Sequence, residues 1–191
     1  MRIERTQKPA GIGYPLQPIK EHLRINGYTV EDQVVAAYID SNVDLIARET
    51  WRYFQSADYT AYLDSWKTDL TIKMNPVTEI TTIKYYDSAG SLQTMAANTD
   101  YYVSLKGNYA RIHFLNTPTL RSDRYDNIEI AFKCGYTDHF KVPDDMIQVL
   151  KILVADSYNS RNSQTMGTVN ANEVPNTARI MLDNLSLRDF G

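Results

Sequence analysis

Helical and strand periodicities occupy separate blocks of this chain, and their order limits the folds open to it. Apolar residues recur at helical spacing over residues 29–54, where Val35, Ile39, Val43, Ile46 and Phe54 form one stripe and Val34, Tyr38 and Leu45 widen it. A shorter helical stretch, 18–27, precedes it, and helical spacing returns over 143–161. Everything between 59 and 136 reads instead as short strands separated by turn residues. Helices bracketing a block of strands predict an α+β chain. The expected form is a mainly helical bundle, built on the long amphipathic helix and the C-terminal helix. It carries an inserted small antiparallel β region and an extended C-terminal arm.

The helices have their own punctuation. Leu16, Ile19, Leu23 and Ile25 sit near helical spacing, and Asn26-Gly27 closes that turn with a residue that tolerates positive φ. Thr29 is placed as the N-cap of the long helix with Asp32 at N3, a capping box with Asp in place of Glu. On the far side Asp40, Asp44 and Arg48 fall at i, i+4 spacing, where Asp44 and Arg48 can pair. Trp51 projects near this polar face, covered by the following loop or held for a partner. Pro143 suits the start of the last long helix, with Asp144 and Asp145 at its positive dipole end. Met146, Ile147, Val149, Leu150, Ile152, Leu153, Val154 and Tyr158 leave a narrow polar strip through Gln148 and Lys151, which predicts packing on several sides.

Strands are expected over 60–66, 70–74 and 77–86, with Asp87-Ser88-Ala89-Gly90 as turn chemistry. Residues 101–105 and 109–114 flank Lys106-Gly107-Asn108, a short hairpin loop. A surface loop containing Pro118 covers 115–126. Ile128, Ile130, Phe132 and Cys134 then alternate with polar residues, so Cys134 faces inward as a small core hydrophobe.

The expected organisation is an extended lead-in over 1–17, broken by Pro9, Gly11, Gly13 and Pro15; a core over 18–161; and a linker with a C-terminal arm over 162–191. The stretch 162–172 is rich in Ser, Thr, Asn and Gly. Beyond it Ile180, Met181, Leu182, Leu185 and Leu187 make one apolar side of a short helix that is not stable alone. Such a tip docks on its own body or on another chain.

Composition narrows the chemistry. A net charge of −3 provides no general basic footprint for gripping nucleic acid. A single cysteine excludes an internal disulfide and a multi-cysteine metal site. No apolar run approaches the roughly 18 residues that span a membrane, and the first residues lack the apolar core of a signal peptide. A reduced, soluble protein made in the cytoplasm is expected. Fourteen tyrosines is a high count; strands favour them, and so do surfaces that become buried in a complex.

No catalytic constellation emerges. His22, His113 and His139 lie on different elements without metal-ligand spacing. Asp138-His139 reads as a solvated turn, and Cys134 as a core thiol without an adjacent base. Gly11-Ile12-Gly13 lacks the third glycine and the preceding strand of a dinucleotide fingerprint. Asp144 and Asp145 read as capping charges rather than a metal pair. The chain is expected not to be an enzyme, with no catalytic residue, cofactor or metal.

The order of short segments carries a resemblance. Pro18-Ile19-Lys20-Glu21-His22-Leu23-Arg24 is followed by Glu31-Asp32 opening the long helix and Glu49-Thr50 at its end. Then come Leu63-Asp64-Ser65-Trp66, Pro76-Val77, Ile80, Ile83, Tyr85-Tyr86-Asp87 and Gly90. Gly135-Tyr136, Val142-Pro143 and Tyr158-Asn159-Ser160-Arg161 complete the series. In this order and spacing the chain resembles the head–tail connector, or adaptor, proteins of tailed bacteriophages, from about Leu16 to Arg161. The tail after Arg161 is longer than in the simplest members.

The resemblance implies a structural virion protein of the neck, assembled in the host cytoplasm. It would form a ring, commonly of twelve subunits, under the portal protein, extend the DNA channel and dock the stopper or tail-completion protein. DNA would pass without sequence-specific binding, and no membrane is involved. Related adaptors hold the portal with C-terminal segments, which makes Ile180, Met181, Leu182, Leu185 and Leu187 the candidate portal-binding arm. Asp40 and Asp44 are candidate channel-lining residues, since an acidic lumen does not retain phosphates; an ordinary solvated face is the other reading. The remaining alternatives are a tail-completion or other neck morphogenesis protein and, from a different class, a small hydrolase or ligand-binding domain. A dangling tail is a liability on a monomeric enzyme and useful on an assembly protein.

Overall fold

Eight strands and four helices are found among the described residues of this computed structural model, which are 1–7, 9, 11–163 and 175–187. In chain order these are β1 (Arg2–Gln7), α1 (Leu16–Leu23), α2 (Asp32–Thr50), β2 (Ala57–Leu63), β3 (Asp69–Ile72) and β4 (Val77–Tyr86). They continue with β5 (Leu92–Thr94), β6 (Tyr101–Ser104), β7 (Ala110–Phe114), β8 (Ile128–Cys134), α3 (Asp144–Ser163) and α4 (Asn176–Leu185). Most of the predicted linker, from 164 onward, lies outside the described residues. The chain divides into a β unit, residues 1–9 and 56–135, and a helical unit, residues 10–55 and 136–191.

In the β unit a five-stranded antiparallel sheet runs in the order β1-β2-β8-β4-β5, and a three-stranded one in the order β3-β7-β6. The central strand β8 shows why. Ile128, Ile130, Phe132 and Cys134 are buried in strict alternation, and opposite them on β2 lie Leu63, Ala61, Tyr59 and Ala57. Each pair puts both side chains on one face, and Tyr59 stacks on Phe132 with ring centroids 5.7 Å apart. On the other flank β4 presents Val77, Ile80, Ile83 and Tyr85 to the same four residues. Val77, Ile80 and Ile83 are three apart instead of two, because the register shifts between Val77 and Glu79 and again between Ile80 and Thr82. Each bulge absorbs one extra residue and returns the apolar side chain to the core face. Trp66 joins the two sheets: its ring lies 5.6 Å from Tyr85 and 5.0 Å from Phe114, and its Nε1–H donates to Pro118 O at 2.8 Å.

In the helical unit α2 buries Val35, Ile39 and Ile46 along one face against Met146, Val149, Leu150, Leu153 and Val154 of α3. A fully buried aliphatic side chain of this size contributes about 1.5–3 kcal/mol. Three polar ties set how the helices meet. Asn42 donates to Tyr38 O at 2.8 Å and to Ser157 Oγ at 3.1 Å, Tyr158 donates its hydroxyl to Glu31, and the buried Lys20 ammonium donates to Asp32 Oδ1 and Tyr28 O, both at 2.6 Å. Lys20 is thus an α1 residue whose charge serves the start of α2.

Two expectations need correction. The chain is not a mainly helical bundle with a small β insert; it is α+β with two antiparallel sheets and four helices among the described residues. The strand content is hard to read because β4 loses its alternation to bulges, while β1 (Arg-Ile-Glu-Arg-Thr-Gln) is exposed nearly throughout and shows no apolar face. The second correction concerns the capping box. The long helix begins at Asp32, its N-cap is Glu31 without a side-chain cap bond, and the Asp32 carboxylate belongs to Lys20. An ion-pair partner from another helix outcompetes the local cap.

Candidate functional site

The sequence candidates fall on the helical unit. Asp40 and Asp44 lie one turn apart on α2, yet they differ in role. Asp40 is half-buried and its Oδ1 accepts the Gly13 N–H at 2.7 Å. The backbone there is close to α2, since a Cβ on Gly13 would lie 3.0 Å from Val43 Cγ2. Asp44 is exposed. The predicted polar face is therefore real at Asp44, while Asp40 also holds the chain leading into α1.

The arm candidates separate as cleanly. Leu182, Leu185 and Leu187 are buried in the helical unit with Ala178, whereas Ile180 is 54% exposed and Met181 is half-buried. Polar contacts secure the docking: Arg52 Nε donates to Leu185 O at 2.8 Å, the Leu187 N–H donates to Thr50 O at 3.1 Å, and Ser186 Oγ donates to Glu49 O at 3.3 Å. Of the two resting places open to such a tip, α4 occupies its own body, and it offers Ile180 outward.

The residues considered for chemistry are dispersed. His113 meets Asp69 across neighbouring strands, Nδ1 to Oδ1 at 2.7 Å, and His139 lies 3.6 Å from Asp138; both pairs are exposed. Cys134 is fully buried, and burial drives its thiol far above the ordinary range, so it stays protonated. Asp144 and Asp145 are exposed in the first turn of α3, with the Met146 N–H donating to Asp145 Oδ1 at 2.8 Å. Burial, and then the charge of Asp144, raise the Tyr14 hydroxyl above its usual value. Among the described residues no three His, Cys, Asp or Glu side chains gather as a metal site, and no helix is long and apolar enough to cross a membrane.

Sequence reasoning missed how the 115–126 loop is built. Asn127, buried at its base, donates through Nδ2 to Arg121 O at 2.9 Å and Arg124 O at 2.8 Å. Asp64 Oδ1 accepts the Asp126 N–H at 2.8 Å, and the Arg124 guanidinium sits 3.7 Å above the Tyr86 ring. Held this way, the loop leaves Tyr125 exposed. No local signal distinguishes Asn127 from an ordinary turn asparagine.

No protein-family model matches the chain, and no curated protein matches it in sequence. Solved structures do. The chain is similar to a chain in the neck of the empty gene transfer agent (GTA) particle computed with C6 symmetry, with a TM-score of 0.79 and 21% identity over 100% of this chain and 98% of that one. A chain in the virion of the native GTA particle matches with a TM-score of 0.78 and 20% identity, again covering 100% and 98%. A third, in the neck of the native GTA particle computed with C12 symmetry, matches with a TM-score of 0.76 and 20% identity at the same coverage. The fold is shared along the whole chain.

Proposed function

We propose that this protein is a structural virion component of the neck, a head-to-tail adaptor that assembles as a ring under the portal. The observation that carries the reading is the full-length structural match to chains of GTA necks, with a TM-score of 0.79 for the first. It agrees in kind with the resemblance to phage adaptors that the ordered segments carry. The C6 and C12 symmetries of those necks favour a ring of copies, twelve in the virion. The ring extends the DNA channel, contacts the portal on one side and the stopper or tail-completion protein on the other, and lets DNA pass without sequence-specific binding. Its role is assembly in the host cytoplasm, not catalysis.

Within this proposal the exposed face of α4, with Ile180 and the half-exposed Met181, meets the portal. Leu182, Leu185 and Leu187 hold that face in position from behind. Asp44 faces the channel, and Asp40 supports it from the same helix face. An excess of acidic residues in the helical unit favours a lumen that does not retain phosphates.

Light scattering on the protein alone, and then mixed with the portal of the same particle, tests the reading. The expected result is a shift to a portal-bound complex holding about a dozen copies, which Ile180→Asp weakens without unfolding the chain. A complex with the tail-side protein and none with the portal would make it a tail-completion protein instead. No complex with either would overturn the neck reading.

A further inference from the structure

Among the described residues four strands lie at sheet edges, and they are treated differently. β1 carries Arg2, Glu4 and Arg5, β3 carries Asp69, and β5 spans three residues. Charge and brevity are the usual ways an edge strand avoids pairing with a foreign chain. The remaining edge, β6, is covered by the preceding loop at Tyr101, which bridges Ala97, and lacks protection beyond it. From Tyr101 to Leu105 the run Tyr-Tyr-Val-Ser-Leu holds no charge, and Tyr102, Val103 and Leu105 are 52%, 37% and 40% exposed.

The hydrogen-bond register shows which backbone groups of β6 face outward. The Phe114 N–H donates to Thr68 O on the β3 side, and the Leu115 N–H donates to Asp100 O on the β6 side. With an alternation of two, Ile112 and Phe114 therefore bond toward β3, and Arg111 and His113 bond toward Ser104 and Tyr102 of β6. Tyr101 and Val103 then direct their backbone groups away from β7. Tyr101 O accordingly accepts the Asn98 N–H at 2.9 Å on that outer side. At Val103 no further described residue bonds the outward N–H and C=O.

We infer that the outer edge of β6 is a docking site for an extended segment of a partner protein in which apolar and acidic residues alternate. Antiparallel or parallel pairing with Val103 supplies the main-chain bonds of β-augmentation. On one face the segment's apolar side chains cover Val103 and Leu105, which share the side of the sheet that buries Ile112 and Phe114. On the other face charge selects the partner. Arg111 lies directly across the small Ser104, and Lys106 follows at the strand's end. The acidic residues lie farther off: Asp69 is on β3, two strands away from the outer edge, and Asp100 precedes β6 at its opposite end, its carboxylate turned to the Ala96 N–H at 2.7 Å and Asn116 at 2.8 Å. A basic rim beside an uncharged edge fits an acidic strand. This inference stands apart from the neck reading and concerns any partner that supplies such a segment.

The test is amide NMR with hydrogen exchange on the full chain, titrated with two seven-residue synthetic peptides, one alternating Val and Glu and one alternating Val and Lys. The expected result is exchange at the Val103 amide slowed by the Val-Glu peptide. Its binding should be roughly tenfold tighter than that of the Val-Lys peptide, from two rim charge pairs reversed in sign. Val103→Pro should abolish binding while Tyr102 and Ser104 stay protected, because the lost N–H points outward. Lys106→Glu combined with Arg111→Glu should reverse the peptide preference, which keeps the test decisive if the proline variant unfolds the sheet. No protection at Val103 with either peptide overturns the site, and equal binding of the two overturns the acidic assignment. Protection that rises with protein concentration in the absence of peptide would assign the edge to a second copy and overturn the partner assignment.

Discussion

The helical and β units solve the same burial problem with opposite uses of polar groups. In the helical unit the decisive polar contacts lie among the packed helices: Lys20 with Asp32, Asn42 with Ser157, Tyr158 with Glu31. Helices satisfy their own backbones, so nothing but side chains can specify how one slides or rotates against the next. In the β unit the ladder already fixes register, and the polar side chains are spent on loops, as Asp87, Asp100 and Asn127 show. Charge divides along the same line. The β unit holds 11 basic and 10 acidic residues, the helical unit 9 and 13. A −3 total therefore hides a strongly acidic part beside a nearly neutral one, and the channel and edge-strand proposals each draw on one of them.

The contrast can be broken most forcefully at the cores. Phe132→Ala should cost about 3–5 kcal/mol, since the ring is fully buried and stacked on Tyr59. Hydrogen exchange should then accelerate in β2, β4 and β8 while α2 and α3 keep their protection. Equal loss in both units would show that they fold as one. Leu182→Ala should cost about 2–4 kcal/mol by opening a cavity under α4. Deleting everything after Arg161 should therefore lower the melting temperature as well as partner binding, because α4 is part of the core; an unchanged melting temperature would mean that the docking contributes nothing.

The polar contrast is tested by smaller effects. Asp32→Ala leaves the Lys20 ammonium buried beside Tyr28 O alone, and chemical denaturation should show a loss of about 2 kcal/mol, moderated because Asp32 is partly exposed. Acid should weaken the β unit through three of its aspartates. The Gln93 side chain, then the Ser91 N–H, hold the Asp87 carboxyl below the ordinary range; the Ala96 N–H and Asn116 do so for Asp100, and Arg121 for Asp123. Groups with depressed folded values stabilise above the unfolded value of about 3.9 and lose that contribution as pH falls through the folded value. Stability measured from pH 7 downward should therefore begin to fall near pH ~4, and less so in Asp87→Asn. Asp44→Asn should change stability by less than about 0.5 kcal/mol, since the side chain is exposed; a larger loss would contradict its proposed place on an open channel face.

How much was legible depended on whether the signal was local. The bounds predicted for the strand at 77–86 match β4, and the buried alternation predicted for Ile128, Ile130, Phe132 and Cys134 is observed. Both are read from neighbouring residues. The Thr29 capping box is not formed, because the competing partner of Asp32, Lys20, comes from another helix. Within the extended lead-in, Arg2–Gln7 gives no strand signal because an edge strand exposed nearly throughout need not alternate, and its pairing with β2 is more than fifty positions away in the chain.

Periodicity, turn residues and composition were enough to establish helices flanking a block of strands and an inward cysteine, because each depends on side chains close in sequence. Which strands became edges, which aspartate was tied to Gly13 and which was exposed, and which face of α4 remained outward depended on packing between distant segments. A residue's role at such places follows from the neighbour that arrives beside it, and the alternation of its own strand or helix carries no record of that neighbour.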